Sequence, residues 1–145
     1  MSDLNPARTR RQIAQRLSLR APQEESLNIL GEVLEKIDFA TAPDLDALLK
    51  DIQALYPSVE SFERSFPSVC FALATGVGKT RLMGAFIAYL YLTGKSKNFF
   101  VLAPNTTIYD KLVEDFSRQT SPKYVFRGIS QFAQTPPIIV TGDTW

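Results

Sequence analysis

Apolar positions follow two rhythms along this chain, and the change falls near residue 67. From Thr9 to Leu19 the side chains of Ile13, Ala14 and Leu17 recur at helical spacing among arginines, which predicts a short basic amphipathic helix behind a loose leader at 1–7. Pro22 suits a first helical turn, with Glu24 and Glu25 placed against its positive end. Leu27, Leu30, Val33, Leu34 and Ile37 then share one face, so a second helix is expected from about 22 to 37. Thr41–Asp44 restarts the chain, and Leu45, Leu48, Leu49, Ile52 and Leu55 mark a third helix that Pro57 should end. Segment 58–67 reads as a helical turn and then loop.

Beyond residue 67 the apolar runs shorten. Ser68–Ala72 reads as a short buried strand, and 98–103 (Asn-Phe-Phe-Val-Leu-Ala) as a central parallel strand covered on both faces. Residues 123–126 and 137–141 supply a third and fourth strand. Between them lie two amphipathic segments, one carrying Leu82, Met83, Phe86, Ile87 and Leu90, the other Ile108, Leu112, Val113 and Phe116. Alternation of strand and helix predicts an α/β fold, a three-layer domain with a parallel sheet at 67–145 preceded by a helical segment at 1–66. The chain stops directly after the last expected strand with no crossover to cover it, so a truncated domain is expected. Phe99, Phe100 and Phe116 are expected in the core, and Tyr109 against a neighbouring element.

Composition narrows the class. At 145 residues, 45% hydrophobic and 21% charged, the chain suits one globular domain rather than a disordered or coiled-coil segment. No apolar run approaches a membrane span, and the charged start has no secretory signal, which points to the cytoplasm. Cys70, the one cysteine, is expected as a buried thiol. The absence of histidine excludes Ser-His and Cys-His nucleophile pairs and His-containing zinc sites. Charge is uneven: residues 1–20 carry five arginines against one aspartate, 21–66 carry three basic and ten acidic side chains, and 67–145 carry eight basic and four acidic. The basic ends could meet a polyanion, while the acidic middle argues against one uniform nucleic-acid face. The first helix is either a surface helix packing a thin stripe or a contact to DNA backbone.

The sharpest chemical signal is Ala72–Thr80, with the core Gly-x-Gly-Lys-Thr at Gly76, Val77, Gly78, Lys79 and Thr80. Glycines at 76 and 78 permit a tight turn whose N–H groups face a phosphate-sized hollow, and a helix starting near Lys79 adds its positive end. In such a loop Lys79 reaches the β- and γ-phosphates of ATP and the Thr80 hydroxyl helps hold Mg²⁺; Thr75 and Arg81 flank it, Arg81 facing solvent or phosphate. Leu73 stands where the strict pattern has its first glycine.

Ala74–Thr80 resembles motif I of superfamily 2 (DEAD/DEAH-like) helicases and translocases, which tolerate a residue such as Leu73. Val101–Phe116 resembles their motif Ia region, and its Pro-Asn-x-x-Ile-Tyr-x-Lys form is most like the N-terminal part of the helicase (Res) subunit of type III restriction–modification enzymes or a related defence protein. Leu19–Leu27 resembles the family's adenine-side glutamine element, which implies that Gln23 touches adenine. The resemblance implies a P-loop, RecA-like motor domain at 67–145, ATP and Mg²⁺ as cofactors with Lys79 and Thr80 catalytic, and ATP-driven helicase or translocase activity in restriction or antiviral defence. It also implies nucleic-acid contact at Pro104, Asn105, Thr106 and Thr107, double-stranded DNA as partner, and a methyltransferase or other defence subunit beside it. The paired acids such motors need are missing; Asp143 follows an apolar segment without an adjacent acid. Hydrolysis by this chain alone is therefore expected to be negligible. Two alternatives stay open: a regulatory or partner-remodelling P-loop ATPase without nucleic acid, and a non-catalytic nucleotide-binding or structural partner in a defence complex.

Overall fold

The computed structural model describes residues 5–144, and every regular element among them is a helix. The first helix, α1 (Pro6–Arg16), starts where the Asn5 side chain accepts the Ala7 and Arg8 N–H groups and Pro6 occupies the first turn. A second helix, α2 (Ala21–Glu35), opens with Pro22 near its start, and α3 (Leu45–Leu55) is capped by Asp44, which accepts the N–H groups of Asp46 and Ala47. The chain then runs irregularly to α4 (Lys79–Leu92). Two further helices follow, α5 (Thr106–Ser117) and the single turn α6 (Ser130–Gln134).

Helices α1, α2 and α4 pack pairwise on one another around Ile13, Leu17, Leu27, Leu30, Leu34, Leu82 and Tyr89. The same cluster continues through Leu112, Phe116, Phe126 and Phe132, so residues from both sides of position 66 share one core. A smaller cluster joins α3 to α2 through Val33, Leu48, Ile52 and Phe62. Small residues set the closest approaches. Arg10 crosses α2 at Gly31, where a Cβ would stand 2.3 Å from its Nη1. That guanidinium donates to Tyr89 Oη at 3.1 Å and to Glu35 at 3.3 Å, which ties three helices together. Gly84 on α4 meets the backbone at Val125 so closely that a Cβ there would lie 2.8 Å from the carbonyl oxygen.

The expected α/β three-layer sheet is not what these residues adopt. Segments 68–73, 98–103 and 137–141 run without helix, but no ladder of backbone hydrogen bonds joins them among the described residues. Residues 123–126, expected as a third strand, form consecutive turns instead. Tyr124 N–H donates to Ser121 and Arg127 N–H to Tyr124 within the turns, while Val125 N–H donates to Asp115 and ties the segment to α5. Aromatic and β-branched content made it look like strand, while the close pass over Gly84 fixes it as a buried turn. Two further expectations are corrected. Cys70 is exposed, and of the three phenylalanines assigned to the core only Phe116 is buried; Phe100 is 87% exposed. No helix among the described residues is long and apolar enough to cross a membrane. The leader's first four residues and Trp145 lie outside the described residues.

One pair gives this scaffold an alkaline limit. Tyr56, beyond the end of α3, donates its hydroxyl to the Glu32 carboxylate on α2. Burial first, then that bond and the neighbouring charge, push the phenol up to about 12 from its ordinary 10. A group whose pKa is raised on folding contributes stability that is present below the unfolded value and lost as pH rises through the folded one. Stability is therefore expected to fall between pH 10 and about 12. Tyr56→Phe should remove a late step from the ultraviolet tyrosine titration and flatten that part of the stability curve; an unchanged titration would dissociate Tyr56 from Glu32.

Candidate functional site

The glycine-rich loop sits at the N-terminal end of α4, where Gly78 caps the helix with φ +95° and Gly76 turns with φ +82°. Both conformations favour glycine, so the sequence explains the turn itself. What holds the loop comes from the N-terminal helices. Gln23, 2% exposed, accepts the Arg20 N–H at 2.8 Å and donates Nε2 to the Gly78 carbonyl at 2.8 Å. Arg20 donates a guanidinium N–H to the Gly76 carbonyl at 3.2 Å. Arg81, one turn into α4, donates to the Leu17 carbonyl at the end of α1 at 2.9 Å. Three side chains thus latch the loop to the α1–α2 corner.

This geometry corrects the chemical expectations attached to the loop. A phosphate loop needs a strand of a sheet behind it, and none exists among the described residues. Gln23 does not face an adenine pocket; both ends of its amide are committed inside the protein. Arg81 is bonded to a main-chain carbonyl rather than free for phosphate. Thr75, Val77, Lys79 and Thr80 stay close together only because they are neighbours in sequence; Thr75 and Lys79 are exposed, Val77 and Thr80 half-buried. The residues therefore do not fit ATP and Mg²⁺ as cofactors, and no group of three metal-ligating side chains occurs among the described residues. The ATP-binding, hydrolase, helicase and translocase readings, along with the RecA-like P-loop domain they required, are corrected with them.

Pro104, Asn105, Thr106 and Thr107 are brought together at the start of α5, all exposed. Asn105 spends its side-chain oxygen on the Ile108 N–H at 2.9 Å, an ordinary helix cap. Thr106 and Thr107 keep exposed hydroxyls beside it. Tyr109 is 40% exposed.

A different place gathers polar groups more tightly. Between α1 and α6 lies a cleft of about 560 Å³ lined by Gln12, Gln15, Arg16, Ser130 and Gln131 over a floor of Ile13, Gly128 and Ile129. Gln12, Gln15 and Arg16 meet there because positions three and four apart share a helix face. Gly128 closes the wall, since a Cβ on it would stand 3.1 Å from the Arg16 carbonyl. No carboxylate lines the cleft. Arg8 and Arg11 on the same helix are exposed, and neither they nor Arg16 enter an ion pair among the described residues. The larger cavity, about 660 Å³ between α2, α3 and segment 68–73, carries Glu25, Glu60 and Glu63 and would repel a polyanion.

The α1 half of this cleft was visible as a basic helix. The α6 half was missed, because a single turn bracketed by Gly128 and Pro136 leaves no periodic signal.

Comparison with known protein families matches residues 16–140 to the type III restriction enzyme, res subunit. No curated protein and no solved structure gives a significant match.

Proposed function

Because this chain belongs to the family of type III restriction enzyme res subunits, we propose that it serves in the cytoplasm as a DNA-backbone-binding element of a restriction assembly. The observation that carries the proposal is the carboxylate-free cleft between α1 and α6, with Arg16 inside it and Arg8 and Arg11 exposed on the same helix. Arginine, glutamine and serine side chains are the groups that hold phosphate and sugar oxygens, and they fix a protein on a duplex without reading its bases. Thr106 and Thr107 at the start of α5 offer a second, uncharged contact of the same kind. A methyltransferase or another defence subunit would then supply sequence recognition.

Binding of a short labelled duplex of arbitrary sequence, followed by fluorescence anisotropy at several salt concentrations, tests this. Affinity is expected to fall several-fold for Arg11→Gln and for Arg16→Gln, with the logarithmic salt slope shallower by about 0.9 for each phosphate no longer neutralised. Wild-type protein that ignores the duplex, or variants that bind it with unchanged salt dependence, would remove the cleft from consideration.

A further inference from the structure

Between Pro57 and Gly78 a single side chain is buried, that of Phe62, at 5% exposure. It joins Val33 of α2 with Leu48 and Ile52 of α3 in one apolar cluster. The firm attachments of this run lie at its two ends. On α3 the Gln53 amide donates to the Val59 carbonyl at 3.0 Å and to the Glu60 carbonyl at 3.3 Å. At the far end Phe71 meets Phe86 of α4 edge-on, with ring centroids 5.0 Å apart. From residue 61 to residue 70 the main chain makes no hydrogen bond to any other segment among the described residues. Residues 61–70 are thus a strap pinned at both ends, with Phe62 as its one catch.

That catch is weakly set. Phe62 lines two cavities, of about 660 Å³ and about 470 Å³, and a ring bordered by voids forfeits contacts that close packing would supply. Its neighbour Glu63 is held at φ +54°, in the left-handed region that costs a residue with a side chain free energy. Lifting the strap relieves that strain, which offsets part of what burying the ring contributes. Charge adds no attraction: Glu25 of α2 lines the larger cavity with Glu60 and Glu63, and no basic side chain joins them there. Segments with one buried contact and no main-chain bonds open locally, at a free energy well below that of global unfolding.

We propose that residues 61–70 lift off the α2–α3 groove as one unit while the helices stay folded, uncovering Val33 and Ile52 and joining the two cavities that Phe62 borders. Thiol labelling of the whole chain with N-ethylmaleimide tests this, in a Cys70→Ser background that removes its one native thiol, an exposed one. Val33→Cys and Leu27→Cys both sit on α2 and both are buried, but only Val33 lies in the groove under the strap; Leu27 belongs to the main core. Unfolding of α2 exposes both thiols, and strap lifting exposes only the first. Val33→Cys is expected to react roughly tenfold or more faster than Leu27→Cys, at a rate that dilute urea hardly changes. Phe62→Ala should speed Val33→Cys by a further factor of roughly ten or more. Equal rates at the two positions, rates that climb together with urea, or a Val33→Cys rate indifferent to Phe62→Ala would each overturn the proposal. Trypsin gives a second measure on the unmutated chain, because Arg64 is the only basic residue between Lys50 and Lys79. Cleavage after Arg64 is expected at a rate that dilute urea hardly changes; cleavage there no faster than global unfolding would overturn the proposal as well.

Discussion

Replacing Phe126 by alanine is expected to cost about 3–5 kcal/mol of folding stability. Phe126 is 1% exposed and stacks on Phe132 with ring centroids 4.3 Å apart. It also meets Phe116 and Tyr124 edge-on, each at 5.7 Å. Truncation removes one ring from a four-ring cluster whose members come from α5, the 123–127 turns and α6, so no single element can shift to fill the space. Each aromatic pair adds about 0.5–1.5 kcal/mol beyond area burial, which puts the loss toward the upper end of the range. A domain of this size holds about 5–15 kcal/mol in total, so the variant should be near its folding limit. Urea unfolding followed by circular dichroism measures this directly. Phe100→Ala is the internal comparison: at 87% exposure it should move the isolated chain's midpoint very little. Equal midpoints for the two variants would mean that the rings of this cluster do not form the core.

That contrast between two phenylalanines shows how far the sequence could be read. Helical periodicity found α2, α3, α4 and α5 to within a few residues, because burying one stripe of a helix needs only neighbours within reach of the local pattern; α1 was expected at 9–19 behind a loose leader at 1–7, yet the Asn5 cap and Pro6 start it at Pro6 and it ends at Arg16. Leu27 and Ile52, expected on apolar faces, are both fully buried. The apolar runs at 68–72, 98–103 and 137–141 were a different matter. A strand exists only when a second segment accepts its hydrogen bonds, and that pairing is not written in the run itself. The same run of apolar residues is compatible with a buried strand or with an outward-facing extended segment, as Phe100 shows.

The loop at 74–78 divides in the same way. Glycines at 76 and 78 announced a tight turn, and the turn is there, with φ of +82° and +95°. The phosphate chemistry assigned to Gln23, Lys79, Thr80 and Arg81 depended on a sheet behind the loop. Without it, Gln23 and Arg81 turn inward to main-chain carbonyls. Pattern fixed the local backbone, while tertiary surroundings decided what the side chains do with it. The α1–α6 cleft was half legible for the same reason: its basic helix is a local feature, and its second wall is not.

The latch at Gln23 yields the second large effect. Gln23→Glu is expected to lower stability by about 2–4 kcal/mol at neutral pH, although it changes only one atom's identity. Oε1 can still accept the Arg20 N–H, but the group facing the Gly78 carbonyl would change from donor to acceptor. Two oxygens would then oppose each other at a site where the side chain is 2% exposed. There is no room to rotate away on the loop side, since even a Cβ on Gly78 would approach Gln23 Nε2 to 2.7 Å. Burial and the facing carbonyl both favour the protonated acid, so the new carboxyl's pKa should rise above its unfolded value of about 4.3. The sign follows: a raised folded pKa contributes stability below the unfolded value and loses it as pH rises. The variant should therefore lie close to wild type near pH 4, where the acid can donate to Gly78, and fall behind progressively toward pH 7. Gln23→Met supplies the control, losing both bonds with no titrating group, so its deficit should stay flat with pH. Parallel stability curves for Gln23→Glu and wild type would show that the amide does not clamp Gly78. Hydrogen exchange at the amides of residues 76–78, faster in both variants, would locate the released segment at the loop itself.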